Sequence, residues 1–113
     1  MHEISLCLSA LDLIEKQAQI QGAKRITAVW LEIGALSCIE ESALRFSFAA
    51  ASRQTMAAGC QLHLRYLPAQ AWCWECSTRV TIERHDAGCP HCGSHALQVE
   101  SGSNLQVKQI EVE

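Results

Sequence analysis

Residues 73–92 read CWECSTRVTIERHDAGCPHC, and how this stretch is read decides how the chain divides. Cys73-x2-Cys76 and Cys89-x2-Cys92 are two thiol pairs with twelve residues between them. A pair spaced this way on a tight turn can hold one side of a tetrahedral ion. A second pair across a hairpin closes the shell at about 2.3 Å per Zn–S bond. The short β-like run RVTIE between the pairs is suited to that hairpin. Four thiolates leave no open coordination position, so the ion would be structural, not catalytic. Structural zinc is the expected occupant, although sulfur ligands alone do not select the metal and a rubredoxin-like iron site uses the same set. Two independent redox dithiols would need a strand-to-helix setting that AWCWECS does not offer. About twenty residues with few apolar side chains cannot fold unaided, so the ion is expected to supply most of this segment's folding free energy. With four cysteines satisfying it, His85, His91 and His95 read as solvated loop residues.

Outside the cysteines the periodicity is regular. Ile4, Leu8, Leu11, Ile14 and Ala18 fall at helical spacing, with Gly22 as a stop, and predict a first amphipathic helix over 4–20. RITAVWLEIG (25–34) is β-branched and apolar on both phases, as in a strand covered on both faces. Ile39, Ala43, Phe46 and Ala50 predict a second helix, and Ser37 with Glu40 three residues later has the form of a capping box. CQLHLRYL (60–67) alternates, placing Leu62, Leu64 and Tyr66 on a buried face and His63 and Arg65 on a wet one. In LQVKQIEVE (105–113), Leu105 and Val107 share one phase while Ile110 and Val112 share the other, which predicts a bulge between them. The expected fold class is α+β: two helices on a three-stranded mixed sheet, with an inserted four-cysteine, zinc-ribbon-like knuckle. Residues 1–67 plus 102–113 form the α+β domain, and 68–101 form the zinc-binding domain.

Composition narrows the function. A chain of 113 residues with net charge −3 and nine scattered Lys and Arg lacks the basic stripe that nucleic-acid binding requires. Neither a membrane span nor a signal peptide is visible, so a cytoplasmic protein is expected. Seven cysteines do not make an even disulfide framework; Cys7, Cys38 and Cys60 have apolar neighbours and read as buried thiols. No Ser-His-Asp or Cys-His constellation stands out, so the chain is not expected to be an enzyme.

The N-terminus reads MHEIS. A bulky second residue generally preserves the initiator methionine, so the free amine is expected to be that of Met1. That amine, the His2 amide and its imidazole can close chelate rings around one ion, with the Glu3 amide as a fourth nitrogen. Four planar nitrogens suit Ni(II) or Cu(II) over tetrahedral Zn(II). Spacing alone leaves this open against an ordinary helix start, where Glu3 complements the macrodipole.

Taken together, MHE, VWLEIGALSCIEESALRFSF, CWEC…CPHC and the terminal IEVE resemble the HypA/HybF family of hydrogenase maturation proteins across essentially the whole chain. RITAVWLEIGALSCIEES and PAQAWCWECS are most similar to its HybF-type members. The resemblance implies a nickel metallochaperone that delivers Ni(II) to the large-subunit precursor of a [NiFe]-hydrogenase, working with a HypB-type GTPase. It places the nickel motif on Met1, His2 and Glu3 and the zinc ligands on Cys73, Cys76, Cys89 and Cys92. A supporting nickel role falls on Glu40, where such members carry aspartate. Some members place a histidine directly after each cysteine pair; here Ser77 and Gly93 stand there, so pH-sensing zinc exchange by those histidines does not transfer. Two short linkers around the insertion would also permit strand exchange into a homodimer. The rival reading is a zinc-ribbon module that binds protein or nucleic acid and carries no mobile metal.

Overall fold

The structure, a computed structural model, describes residues 3–113, with Glu3 described by its backbone alone. Its elements are α1 (Glu3–Ile20), β1 (Ile26–Gly34), a 3-10 turn (Ala35–Ser37), α2 (Glu41–Ser52), β2 (Gln61–Leu67), β3 (Ala69–Cys73), β4 (Thr78–Ile82), β5 (Leu97–Val99) and β6 (Leu105–Val112). They form two three-stranded sheets, ordered β2-β1-β6 and β4-β3-β5. The α+β class expected from the sequence is the one adopted.

The chain divides into two compact units. The first comprises 1–32, 39–65 and 106–113; the second comprises 33–38 and 66–105.

In the first unit α1 ends as the sequence anticipates. Gly22 adopts φ +70°, its amide bonds the Gln19 carbonyl, and the Ala23 amide bonds that of Ala18. This is a Schellman stop, for which a residue without Cβ is suited. Arg25 and Glu113 exchange both backbone hydrogen bonds, so the start of β1 meets the end of β6 and the two strands are antiparallel. On β1, Val29, Leu31 and Ile33 are buried on one face and Ile26 and Ala28 on the other, where Trp30 and Glu32 are only half-buried, so the expected cover on both faces is incomplete. Along β6 the half-buried residues are Leu105, Val107, Ile110 and Val112, so the inward face changes at Lys108–Gln109, where the sequence shows a change of phase.

α2 presents a different face from the one expected, whereas α1 buries the expected Leu11, Ile14 and Ala18 and departs only in its first turns. α1 buries Cys7, Ala10, Leu11, Ile14 and Ala18, whereas Ile4 and Leu8 are exposed. The small side chains of Cys7 and Ala10 permit close approach of α2, and Cys7 Sγ lies 3.8 Å from the Leu44 carbonyl. α2 buries Leu44, Phe48 and Ser52 while Phe46 is 75% exposed. The helix start also differs from the expected one. Ser37 sits in the 3-10 turn with its hydroxyl on the Gly34 carbonyl at 2.7 Å, Cys38 adopts φ +60°, and α2 begins only at Glu41. The predicted capping box is therefore not formed, and Ile39 lies ahead of the helix. Glu40 is the N-cap by position, but its carboxylate accepts from the Ser42 hydroxyl at 2.6 Å and caps no amide. On the edge strand β2, Leu62 and Leu64 are half-buried and Tyr66 is exposed, so the expected buried face is only partly covered.

The second unit has a sheet and a core of its own. β3 pairs antiparallel with β4 (Ala71↔Val80) and with β5 (Ala71↔Val99). Leu36, Ala69, Ala71, Cys73, Val80, Ile82 and Cys89 form a small core, with Cys76, Ala87 and Leu97 packed on it. This core is inconspicuous in the sequence because its members include two alanines, two cysteines and one residue from 33–38.

Glycines bring that last segment in. The Gly34 amide bonds the Asn104 carbonyl, and the Leu36 amide bonds that of Gly102, both at 2.8 Å. A Cβ on Gly34 would fall on the Gly102 backbone, and a Cβ on Gly102, at φ +101°, would stand 2.5 Å from Ala69 Cβ. Gly102→Ala is expected to cost about 2–4 kcal/mol through overpacking and backbone strain. Chemical denaturation measures this, and a loss below about 0.5 kcal/mol would contradict the close approach.

Candidate metal centre

The metal centre is built from two matching turns. β3 ends at Cys73, and Cys76 follows in the turn to β4. Cys89 and Cys92 sit on the loop before β5. The Ser77 amide bonds the Cys73 carbonyl and the Gly93 amide bonds the Cys89 carbonyl, both at 2.8 Å. Ser77 and Gly93 have φ +54° and +76°. Each turn thus closes through a left-handed residue directly after its CxxC, a position glycine fills without strain and serine does not.

Backbone amides point back at the sulfurs: Cys76 N–H donates to Cys73 Sγ at 3.5 Å, and His91 N–H donates to Cys89 Sγ at 3.4 Å. Such donors favour thiolate over thiol. The ligand atoms of the four cysteines all lie within 4.8 Å of one another. Sγ separations are 3.5 Å for Cys73–Cys76, 3.5 Å for Cys76–Cys89 and 3.7 Å for Cys73–Cys92. A tetrahedron with bonds of about 2.3 Å has edges of about 3.8 Å, so these sulfurs stand close to the vertices one tetrahedral ion requires. Van der Waals packing alone would not draw four sulfurs to one point. No other cluster of three or more metal-ligating side chains occurs among the described residues.

The thiols differ in environment. Cys73 and Cys89 are buried in the small core, Cys76 is half-buried and Cys92 is exposed. Burial pushes the Cys89 thiol up, but the amides of Cys92 and His91 and the sulfurs of Cys76 and Cys73 outweigh it and bring it down to about 6. The Cys76 thiol is pushed well above its ordinary value, first by Cys92 and then by Cys73 and Cys89, because a second negative sulfur beside the first is unfavourable. A dication placed among them would offset that repulsion.

None of the three nearby histidines belongs to this cluster. The His85 ring bonds the Leu36 carbonyl at 2.8 Å, a tie within the second unit that the sequence did not reveal. Of the remaining cysteines, Cys7 is buried as expected. Cys38 is exposed, because the turn before α2 carries it outward, and Cys60 is half-buried, with burial raising its thiol. Met1, His2 and the Glu3 side chain lie outside the described residues. Glu40 is exposed at the start of α2.

The whole chain is accounted for by one family. Residues 1–112 match the family described as "Hydrogenase/urease nickel incorporation, metallochaperone, hypA", and the chain belongs to it. It is 60% identical over all 113 residues to the hydrogenase maturation factor HybF of Salmonella typhimurium, covering the full length of both. Against HybF of Escherichia coli K12 the identity is 59%, again over the full length of both. Its fold is similar to the solution structure of the nickel metallochaperone HypA from Helicobacter pylori, with TM-score 0.73 at 22% identity, covering 99% of this chain and 97% of that one.

The site makes two predictions. Stripping the ion with a strong chelator should collapse the dispersion of the amide signals of 66–105 while those of α1 and α2 persist, since structural zinc contributes on the order of 10 kcal/mol to small sites. Heteronuclear NMR reads this directly, and unchanged signals in β3–β5 would contradict it. The second concerns Glu100, whose carboxyl is held low by hydrogen bonds from Arg79. Its folded value lies below the unfolded one, so its contribution is complete above the ordinary carboxylate range and fades as pH falls through the lowered value. The pair is exposed and the effect small. Glu100→Gln should be slightly less stable than wild type at neutral pH and equal to it in strong acid, as measured by denaturant melts across pH.

Proposed function

We propose that this protein is a nickel metallochaperone that carries Ni(II) at its N-terminus and delivers it to the large-subunit precursor of a [NiFe]-hydrogenase, around a structural zinc site. The observation that carries this reading is the full-length match to HybF maturation factors, joined to four sulfurs at tetrahedral spacing. The two support different parts of it. The sulfur set is closed to exchangeable ligands and suits a resident Zn(II) held by Cys73, Cys76, Cys89 and Cys92. Cargo must then bind elsewhere, at a site that is exposed and quick to release. The Met1 amine, the His2 amide and imidazole, and the Glu3 amide supply nitrogen donors for that purpose, in the planar set that favours Ni(II).

Glu40 is a weaker candidate for nickel support: it is exposed, it is engaged by Ser42, and it is free of any capping duty. The proposed partners are a HypB-type GTPase and the hydrogenase precursor, with transfer in the cytoplasm and no catalysis by the chaperone itself. Among the described residues no helix is long and apolar enough to cross a membrane. A homodimer by strand exchange is part of the proposal.

His2→Ala should abolish stoichiometric Ni(II) binding while zinc content and circular dichroism stay unchanged. An N-terminal tag, which removes the free amine, should do the same. Retention of one nickel per chain in both variants would overturn the N-terminal assignment, and failure of the untagged wild type to bind nickel would leave the zinc-ribbon module as the better description.

A further inference from the structure

Five of the nine cationic side chains are held by carboxylates: Lys16 by Asp12, Arg25 by Glu113, Arg45 by Glu41, Arg79 by Glu100 and Arg84 by Asp86. Lys24, Arg53, Arg65 and Lys108 have no carboxylate partner among the described residues, and two of these, Arg65 and Lys108, line one cleft of the first unit. Arg65 comes from β2 and Lys108 from β6, the two edge strands, with Trp30 and Glu32 on β1 between them. Trp30 stacks on His63 with ring centroids 4.6 Å apart and planes 14° from parallel. Glu32 is the cleft's single carboxylate, leaving a local positive surplus on a chain whose net charge is −3. Arg65 and Lys108 thus line this cleft without a carboxylate partner, beside a half-buried indole, whereas five of the nine cations are matched by one.

We propose that this cleft docks an acidic segment of a partner protein. Its volume of about 130 Å³ suits one inserted side chain and falls well short of the roughly 300 Å³ at which small-molecule pockets begin. A carboxylate entering it meets Arg65 and Lys108 from opposite edges of the sheet, and its methylene stem lies against the Trp30–His63 stack. Tryptophan and arginine are among the residues that most often carry binding energy at protein interfaces. A net surplus of one charge is too little to hold a nucleic-acid backbone, whose neutralisation takes several cations. The inference concerns the partner surface and stands apart from the nickel assignment.

The test uses the full-length, zinc-loaded, isotopically labelled protein titrated with a capped Glu-Glu-Leu-Glu-Glu peptide, with Gln-Gln-Leu-Gln-Gln as control. Saturable shifts are expected at the Trp30 indole and at the Arg65 and Lys108 amides with the acidic peptide alone. They should vanish at roughly 0.5 M NaCl, where screening is short-ranged. The double variant R65Q/K108Q, both sites being exposed, should keep the wild-type amide pattern and weaken the acidic peptide by at least about tenfold. Equal binding by that variant, or shifts confined to other surfaces, would overturn the proposal. So would tighter occupation of the same residues by a single-stranded oligonucleotide, or concentration-dependent shifts there without peptide, which would assign the cleft to nucleic acid or to a second copy.

Discussion

The gathering of four sulfurs to within 4.8 Å of one another is the constraint on which the second unit depends, and one shared cation would offset their mutual repulsion. The three short strands β3, β4 and β5 enclose a core in which alanine and cysteine outnumber the larger aliphatic residues, and it excludes too little water to stand alone. Two of the ligands, Cys73 and Cys89, are themselves core residues. An ion held by these sulfurs would make metal binding and apolar packing one event in this unit. Ordering the sulfurs orders the sheet, and the sheet holds the turns that aim the sulfurs.

The first unit is held together by other means. Its buried set is mainly aliphatic, its first helix is stopped by a glycine in the left-handed region, and β1 is tied to the C-terminus where Arg25 and Glu113 exchange backbone hydrogen bonds. None of these features needs an ion. Under the proposed function, a zinc ion resident in the second unit and a nickel cargo at the N-terminal residues would differ in affinity and exchange rate, as delivery demands. The proposed zinc ligands are four sulfurs, whereas the proposed nickel donors are nitrogens of Met1, His2 and Glu3.

Much of this is legible in the sequence, and what is not has identifiable causes. The paired CxxC motifs specify their cluster because few arrangements of four thiols this close in sequence are useful except around an ion. β1 is legible because an uninterrupted β-branched and apolar run has few other uses. The helix faces are harder to read because several i, i+4 registers fit the same residues, and the choice is made by the packing of α1 against α2. The start of α2 misleads as well. Ser-x-x-Glu at 37–40 suggests an early start, but Ser37 is taken by the Gly34 carbonyl and Cys38 turns left-handed. β3 is hidden by its alanines, which carry little strand signal although they suit a sheet packed against a compact core. The role of 33–38 is hidden because it depends on Gly34 and Gly102 meeting from distant parts of the chain. That Arg65 and Lys108 line one cleft emerges only once the sheet brings β2 and β6 to either side of β1.

The central claim is that two metals are held by disjoint ligand sets, sulfur for one and N-terminal nitrogen for the other. X-ray absorption of the untagged protein loaded with both metals, recorded at the nickel and zinc K-edges, tests it most directly. The expected result is a zinc shell of four sulfurs at about 2.3 Å beside a nickel shell of nitrogen and oxygen donors with imidazole scattering and no sulfur. Sulfur in the nickel shell, or nickel displacing zinc from the four cysteines, would contradict it.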